Sequence, residues 1–321
     1  MTEDFAAAAE KDLPPLANAV NRRKQNKKFN KMYLFCWVGA SIPLLGFLLF
    51  SGFPLVISFM AMFSDMERNN IDTMQWNDFA NFISFGTDER VWIALRNTVI
   101  LACSQFVSLF IAIAIAAFLS QNVKGSRLFQ TLFFIPYICS TVAVAVMWNN
   151  IFGIKGALNA ILNTNIEWLN NMENPYSLTM AIFVAVVWKA PGYGIVMYCS
   201  AFKAINPALY EAASLDGANA WHKFRNITLP GIAPITFFLI LSGFLAGLTI
   251  FDEATIMAPL SFDGYAGPED AGLTMMYYIY VEGVQFSNMG YASVMSWFLF
   301  LITAIPSVYF IRKRMAEVEE M

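Results

Sequence analysis

The chain has 321 residues, 58% of them hydrophobic and only 13% charged, against about 25% charged in an ordinary globular protein. With thirty Phe, eight Trp and a mean hydropathy of +0.53, it holds several apolar stretches longer than the ~20 residues that cross a bilayer. That excludes a soluble enzyme and predicts an all-α polytopic membrane protein; the net charge of −3 conceals a segregation that only the loops reveal.

In chain order, residues 1–31 are polar and end in the basic cluster Arg22 to Lys31, so a disordered tail is expected there. The apolar run that follows is too long, and its basic block too far in, for a secretory signal. Runs free of Asp, Glu, Lys and Arg then predict six spans within a body at 32–314, near 33–63, 97–121, 128–152, 177–202, 232–252 and 289–311, with a last tail at 315–321. Pro43 and Pro54 should kink the first, and the fourth carries a single charge, Lys189. In hydrocarbon each segment must satisfy its own backbone, and the alternation of a barrel strand is missing, so the spans are helices.

Lys and Arg fix the orientation, because positive loops resist translocation. Fifteen of the twenty fall in the two termini and in the loops after the second and fourth spans, including Lys124, Arg127, Lys203, Lys223, Arg225 and Arg312 to Arg314. Arg68, Arg90, Arg96 and Lys155 lie on the other side. Both termini are therefore expected in the cytoplasm. Cys36, Cys103, Cys139 and Cys199 show no CxxC pair and read as packing residues.

The cytoplasmic loop 203–230 has the punctuation of two short helices. Asn206 followed by Pro207 fits an N-cap with proline at the first helical position. Gly217 stands where a residue of positive φ closes a helix, Asn219 can cap a second helix, and Leu229-Pro230 is expected to end it. Leu209 and Leu215 on the first helix, with Trp221 and Phe224 on the second, give the elbow apolar positions suited either to a partner or to lipid headgroups.

Glu211-Ala212-Ala213, Gly217, Ile227 and Leu229-Pro230, at these spacings, resemble the EAA loop of bacterial ABC import permeases, in the sugar-type branch of the maltose and glycerol-3-phosphate systems. Arg96-Asn97-Thr98, Leu132 to Pro136, Trp188-Lys189, Leu215 to Ala218, Phe251 to Glu253 and Gly290 to Ser293 are similar to that branch too, with a departure at Ala266-Gly267-Pro268. The resemblance covers about Tyr33 to Arg314. It implies that Glu211, Ala212, Ala213, Asp216, Gly217, Ile227, Leu229 and Pro230 couple the membrane helices to an ATPase, with Glu211 making a salt bridge. It further implies a second, related permease chain, two ATPase subunits, an extracytoplasmic solute-binding protein and a sugar-like solute moved by alternating access.

No GxxxxGK[ST] phosphate loop is present, and the single histidine, His222, excludes a site needing two. No catalytic residue, metal, cofactor or nucleic-acid partner is expected; membrane lipid is the solvent. Lys189, whose burial costs about 2.5–3.5 kcal/mol on insertion scales, sits in mid-span with Pro191, Gly192 and Gly194 after it. These are expected to loosen the helix and place Trp188 and Lys189, with Asp252, along a pathway. An ion-coupled secondary carrier and a membrane scaffold are the competing readings; the first gives the elbow no work, and solute flux separates the second.

Overall fold

The computed structural model describes residues 33, 35–66, 70–121, 124–258 and 266–319, so the expected disordered tail at 1–31 lies outside the described residues. The described residues to Met60 fall in one unit and those from Ala61 in a second. Helix α1 (Phe35–Ala61) makes up the first and ends on the first residue of the second; its side chains are nearly all apolar and exposed. A π-type turn occupies Leu48–Gly52, closed by the Phe53 N–H on the Leu48 carbonyl just ahead of Pro54. The proline lacks an N–H and its ring crowds the carbonyl four residues back, so a widened turn there lets the helix run through.

The second unit contains α2 (Ala80–Thr87), α3 (Glu89–Leu119), α4 (Ser126–Ile138), α5 (Thr141–Phe152), α6 (Ala157–Leu162), α7 (Tyr176–Lys189) and α8 (Pro191–Ala204). It continues with α9 (Pro207–Leu215), α10 (Ala220–Lys223), α11 (Leu229–Leu248), α12 (Asp252–Met257), α13 (Met275–Tyr280) and α14 (Met289–Glu319). Among the described residues, six segments are long and apolar enough to cross a membrane: Phe35–Ala61, Glu89–Leu119, Thr141–Leu162, Tyr176–Ala204, Ala220–Met257 and Met289–Ala316. The described residues hold no strand, only an isolated bridge between Ser64 and Trp76.

Three boundaries differ from the sequence expectation. Helix α3 starts at Glu89 rather than near 97, because Asp88 caps it by accepting the Arg90 N–H at 2.9 Å. The run expected as one span at 128–152 is two helices, parted at Cys139 and Ser140, whose ψ values of 146° and 131° are extended. Neither glycine nor charge marks that break in the sequence. Helix α14 carries the basic Arg312 to Arg314 within it and continues to Glu319, so the tail expected at 315–321 is helical that far.

Helix α3 is the central post, packed by α8, α11 and α7. Its small residues make this possible: a Cβ on Gly194 would stand 2.8 Å from the Ala112 methyl, and one on Gly247 2.8 Å from the Ala102 Cα. Without a hydrophobic drive between helices in lipid, such close backbone approach supplies the dispersion contact that holds them. One core cluster, with Ala112, Ala116, Ile195, Tyr198 and Ile232, lies toward the elbow; the other, with Leu101, Leu178, Ile182, Met275 and Tyr278, lies toward the opposite end.

Candidate coupling elbow and membrane cavity

The elbow is built by local rules. The Asn206 side chain accepts the Ala208 N–H at 3.0 Å, with Pro207 opening α9. At the other end Gly217 has φ +79°, its N–H reaches the Ser214 carbonyl at 3.2 Å, and the Ala218 N–H reaches Ala213 at 2.9 Å. These are the two bonds of a Schellman cap, which needs a left-handed residue at the glycine position. Asn219 then caps α10 through the His222 N–H at 2.9 Å.

Leu229-Pro230 does not end that second helix, contrary to expectation. A π-type turn at Phe224–Thr228, closed by the Leu229 N–H on the Phe224 carbonyl, carries the chain from α10 straight into α11. It is the same accommodation of proline as in α1. The elbow is therefore one free helix, α9, folded back on the root of a membrane helix. Tyr210 and Thr228 join the two through their hydroxyls at 2.9 Å, and Lys223 Nζ donates to Ser214 Oγ at 2.7 Å.

What the elbow leaves uncovered matters most. Leu215 is 90% exposed, Trp221 63% and Leu209 52%, while Glu211, Ala212, Asp216, Gly217 and Pro230 are exposed as well. Of the other motif residues, Ala213 and Ile227 are half-buried, Ile227 against the elbow-side core, and Leu229 is exposed. A Cβ on Gly217 would meet nothing within 4 Å.

In the membrane, the glycines after Lys189 pack rather than loosen. Ala190 keeps helical φ −67° and ψ −32° between α7 and α8, and a Cβ on Gly192 would fall 2.3 Å from the Phe133 carbonyl oxygen. Lys189 borders a cavity of about 210 Å³ together with Gln105, Ser108, Tyr137, Ser242 and Glu253. Its ammonium donates to the Thr141 hydroxyl at the start of α5, which the break in the third run has placed there. Trp188 and Asp252 do not border this cavity: Trp188 is edge-on to Trp148 at 5.8 Å, and Asp252 opens α12. The carboxylate in the cavity is the next residue, Glu253. A one-residue difference on a helix turns a side chain by about 100°, which only the packed orientation of α12 resolves.

At the end opposite the elbow, a second network pins the chain before α13. Asn97 Nδ2 donates to the carbonyls of Asp270 and Leu273 at 2.9 and 3.1 Å, and Thr98 Oγ1 accepts the Met275 N–H at 2.9 Å. Arg90 Nε meets Asp270 Oδ2 at 3.2 Å. The hydroxyls of Tyr278 and Tyr291 both donate to Asp88 Oδ2, at 2.5 and 2.6 Å. Burial first, and then the bond to Asp88, push the Tyr278 hydroxyl well above the usual phenol range. Tyr277 is buried and donates to the Ala258 carbonyl at 3.2 Å. These tyrosines are tied into the protein by their hydroxyls, and Tyr278 and Tyr291 also border a polar cavity of about 620 Å³ with Asp88, Arg90 and Glu282.

The family described as binding-protein-dependent transport system inner membrane component matches residues 108–310. A probable ABC transporter permease protein, YesP of Bacillus subtilis (strain 168), is 31% identical over 90% of this chain and 93% of its own. The lactose transport system permease protein LacF of Rhizobium radiobacter is 29% identical over 73% of this chain and 79% of its own. In solved structures the same fold occurs in a bacterial alginate ABC transporter in complex with alginate pentasaccharide-bound periplasmic protein, at TM-score 0.75 and 22% identity, covering 88% of this chain and 94% of that one. Six membrane-crossing helices, an all-α fold and an exposed elbow at the root of the fifth span thus meet a family match over most of the chain. The protein belongs to the binding-protein-dependent transport system inner membrane components, the multi-pass permease subunits of ABC importers, whose ATPase is a separate subunit.

Proposed function

We propose that the chain is one half of the permease of an importer for a sugar, oligosaccharide or related polar solute, with both termini in the cytoplasm. The remaining parts are a second, related permease chain, two ATPase subunits and an extracytoplasmic binding protein that delivers solute to an outward-facing cavity. The observation that carries this is the elbow: a rigidly capped helix on the positively charged side, presenting Leu209, Leu215 and Trp221 to solvent. Apolar side chains held out on a polar loop are the mark of a docking surface. Ala212 and Ala213 permit close approach, Glu211 supplies a charge for a basic partner residue, and Asp216, Gly217, Ile227, Leu229 and Pro230 set the angle to α11.

Closure of the ATPase dimer would push α9 and, through the unbroken α10–α11 connection, move the fifth span directly. Names of relatives support the solute class, lactose for one and alginate for the other. Along the pathway Lys189 is the residue the cavity supports; Trp188 and Asp252 adjoin its lining residues Lys189 and Glu253 in the chain but do not border it. The test is a mild-detergent pull-down of the tagged chain from its native membrane, wild type beside Gly217→Asp, with mass spectrometry. Wild type should bring down a nucleotide-binding subunit and a second permease, and the variant should lose the former. A chain that comes down alone yet moves solute when reconstituted would end the reading.

A further inference from the structure

The cavity beside Lys189 holds more unspent polarity than packing requires. Gln105 on α3, Tyr137 on α4, Ser242 on α11 and Glu253 on α12 border it, and none of these side chains hydrogen-bonds another described residue. Lys189 hydrogen-bonds the Thr141 hydroxyl alone among the described residues. Polar groups at this depth ordinarily find partners in the protein, because lipid offers none. Left open around one cavity, they are arranged for something that enters it.

The chemistry of the wall narrows what that is. Tyr137 and Tyr193 stack at 5.3 Å and both border the cavity, giving an aromatic plate beside an amide, a hydroxyl, an ammonium and a carboxylate. A pyranose ring answers this set: its C–H face packs on an aromatic plane, and each hydroxyl both donates and accepts. The charges answer each other as well. Among the described residues, Lys189 and Glu253 are the ionisable side chains on the cavity wall apart from its tyrosines, one of each sign. A neutral polyol can donate to the carboxylate and accept from the ammonium together. An anion gains Lys189 but meets Glu253 in a medium that screens poorly.

We propose that the Lys189–Glu253 pair is a charge-selecting element that admits neutral saccharides and disfavours anionic ones such as uronates and sugar phosphates. This rests on the importer reading, and it adds a distinction the relatives leave open, since lactose is neutral and alginate acidic. Glu253 and Gln105 thereby become specificity-determining residues of this chain.

The experiment uses the whole membrane complex, with partner permease and ATPase, in lipid nanodiscs, and reads direct binding by saturation-transfer NMR. The probes are lactose and maltotriose against digalacturonate and trigalacturonate. Wild type should prefer the neutral probes by about tenfold or more. Glu253→Gln should narrow that preference several-fold and Lys189→Met should widen it. The opposite signs keep the test sound even if one variant fails to assemble. An unchanged preference in an assembled variant, or a wild-type complex that favours the uronates, overturns the proposal. A wild-type complex that assembles with its ATPase but binds none of the four sugars removes the saccharide reading itself, and the charge selection with it.

Discussion

The elbow and the membrane cavity are made by opposite means. The elbow is a linear object: its cap at Asn206, its turn at Gly217 and its exposed Leu209, Leu215 and Trp221 all lie within one loop, and the bonds that shape it span only a few residues, the Tyr210–Thr228 and Lys223–Ser214 pairs excepted. The cavity gathers Gln105, Tyr137, Lys189, Ser242 and Glu253 from five helices. A docking motif can be carried by a short segment that a partner reads from outside. A solute site must surround its ligand, so it draws on residues far apart in the chain.

The comparison breaks first at Gly217. Gly217→Asp should abolish uptake while the protein stays in the membrane at wild-type abundance, measured by transport beside quantitative blotting. The space a Cβ would enter there is open, so the strain is only the ~1 kcal/mol of a side chain at positive φ. Loss of the protein itself would show that the turn is needed for folding.

Lys189→Met should act on the other region alone, changing solute affinity or transport rate by about tenfold, as loss of one charge at membrane depth does, with ATPase binding in the pull-down unaltered. Normal kinetics would return Lys189 to a purely structural role beside Thr141.

Two glycines sharpen the contrast. Gly192→Ala drives a methyl to 2.3 Å from the Phe133 carbonyl oxygen, and overpacking of that kind costs about 1–3 kcal/mol. Gly217→Ala should cost about 1 kcal/mol. Thermal unfolding in detergent should therefore rank Gly192→Ala below Gly217→Ala, whereas transport should suffer from both. The reverse order of midpoints would mean that α4 and α8 are not tightly packed.

The smallest effect is expected at the end opposite the elbow. Because the Tyr278 hydroxyl is raised above its ordinary value of 10.0, the folded state holds it neutral where the unfolded chain would ionise it. Stability from this group is complete below pH 10 and declines as the pH climbs from there toward the folded value. Tyr278→Phe should cost about 1 kcal/mol at neutral pH and lessen the alkaline fall in unfolding midpoint. An identical alkaline slope in the variant would assign that fall to other groups.

Much of the elbow was legible because its signals are local. Asn206-Pro207, Gly217 and Asn219 each dictate the backbone within one turn of themselves, and the structure places a cap, a Schellman turn and a second cap there. Leu229-Pro230 misled, since a proline stops a helix only where the preceding turn keeps its usual width, and here it widens. The third run misled for the opposite reason: an uncharged stretch gives no hydropathy mark of a break at Cys139 and Ser140, and its one proline, Pro136, lies inside α4 rather than at the break. In the membrane the single charge of Lys189 marks a polar cavity, yet the carboxylate that shares it is Glu253 rather than Asp252, and the glycines beside it serve packing against Phe133 and Ala112.

By itself, then, the sequence determined the solvent, the helices and the capped elbow, because hydropathy, capping and turn chemistry act over a few residues. Only the tertiary structure decided which polar groups share the cavity, which side chain of Asp252-Glu253 faces it, and which tyrosines are tied to Asp88. Those choices depend on the rotation and spacing of whole helices, set by small residues such as Gly194 and Gly247 meeting α3, and no neighbour in the chain records them.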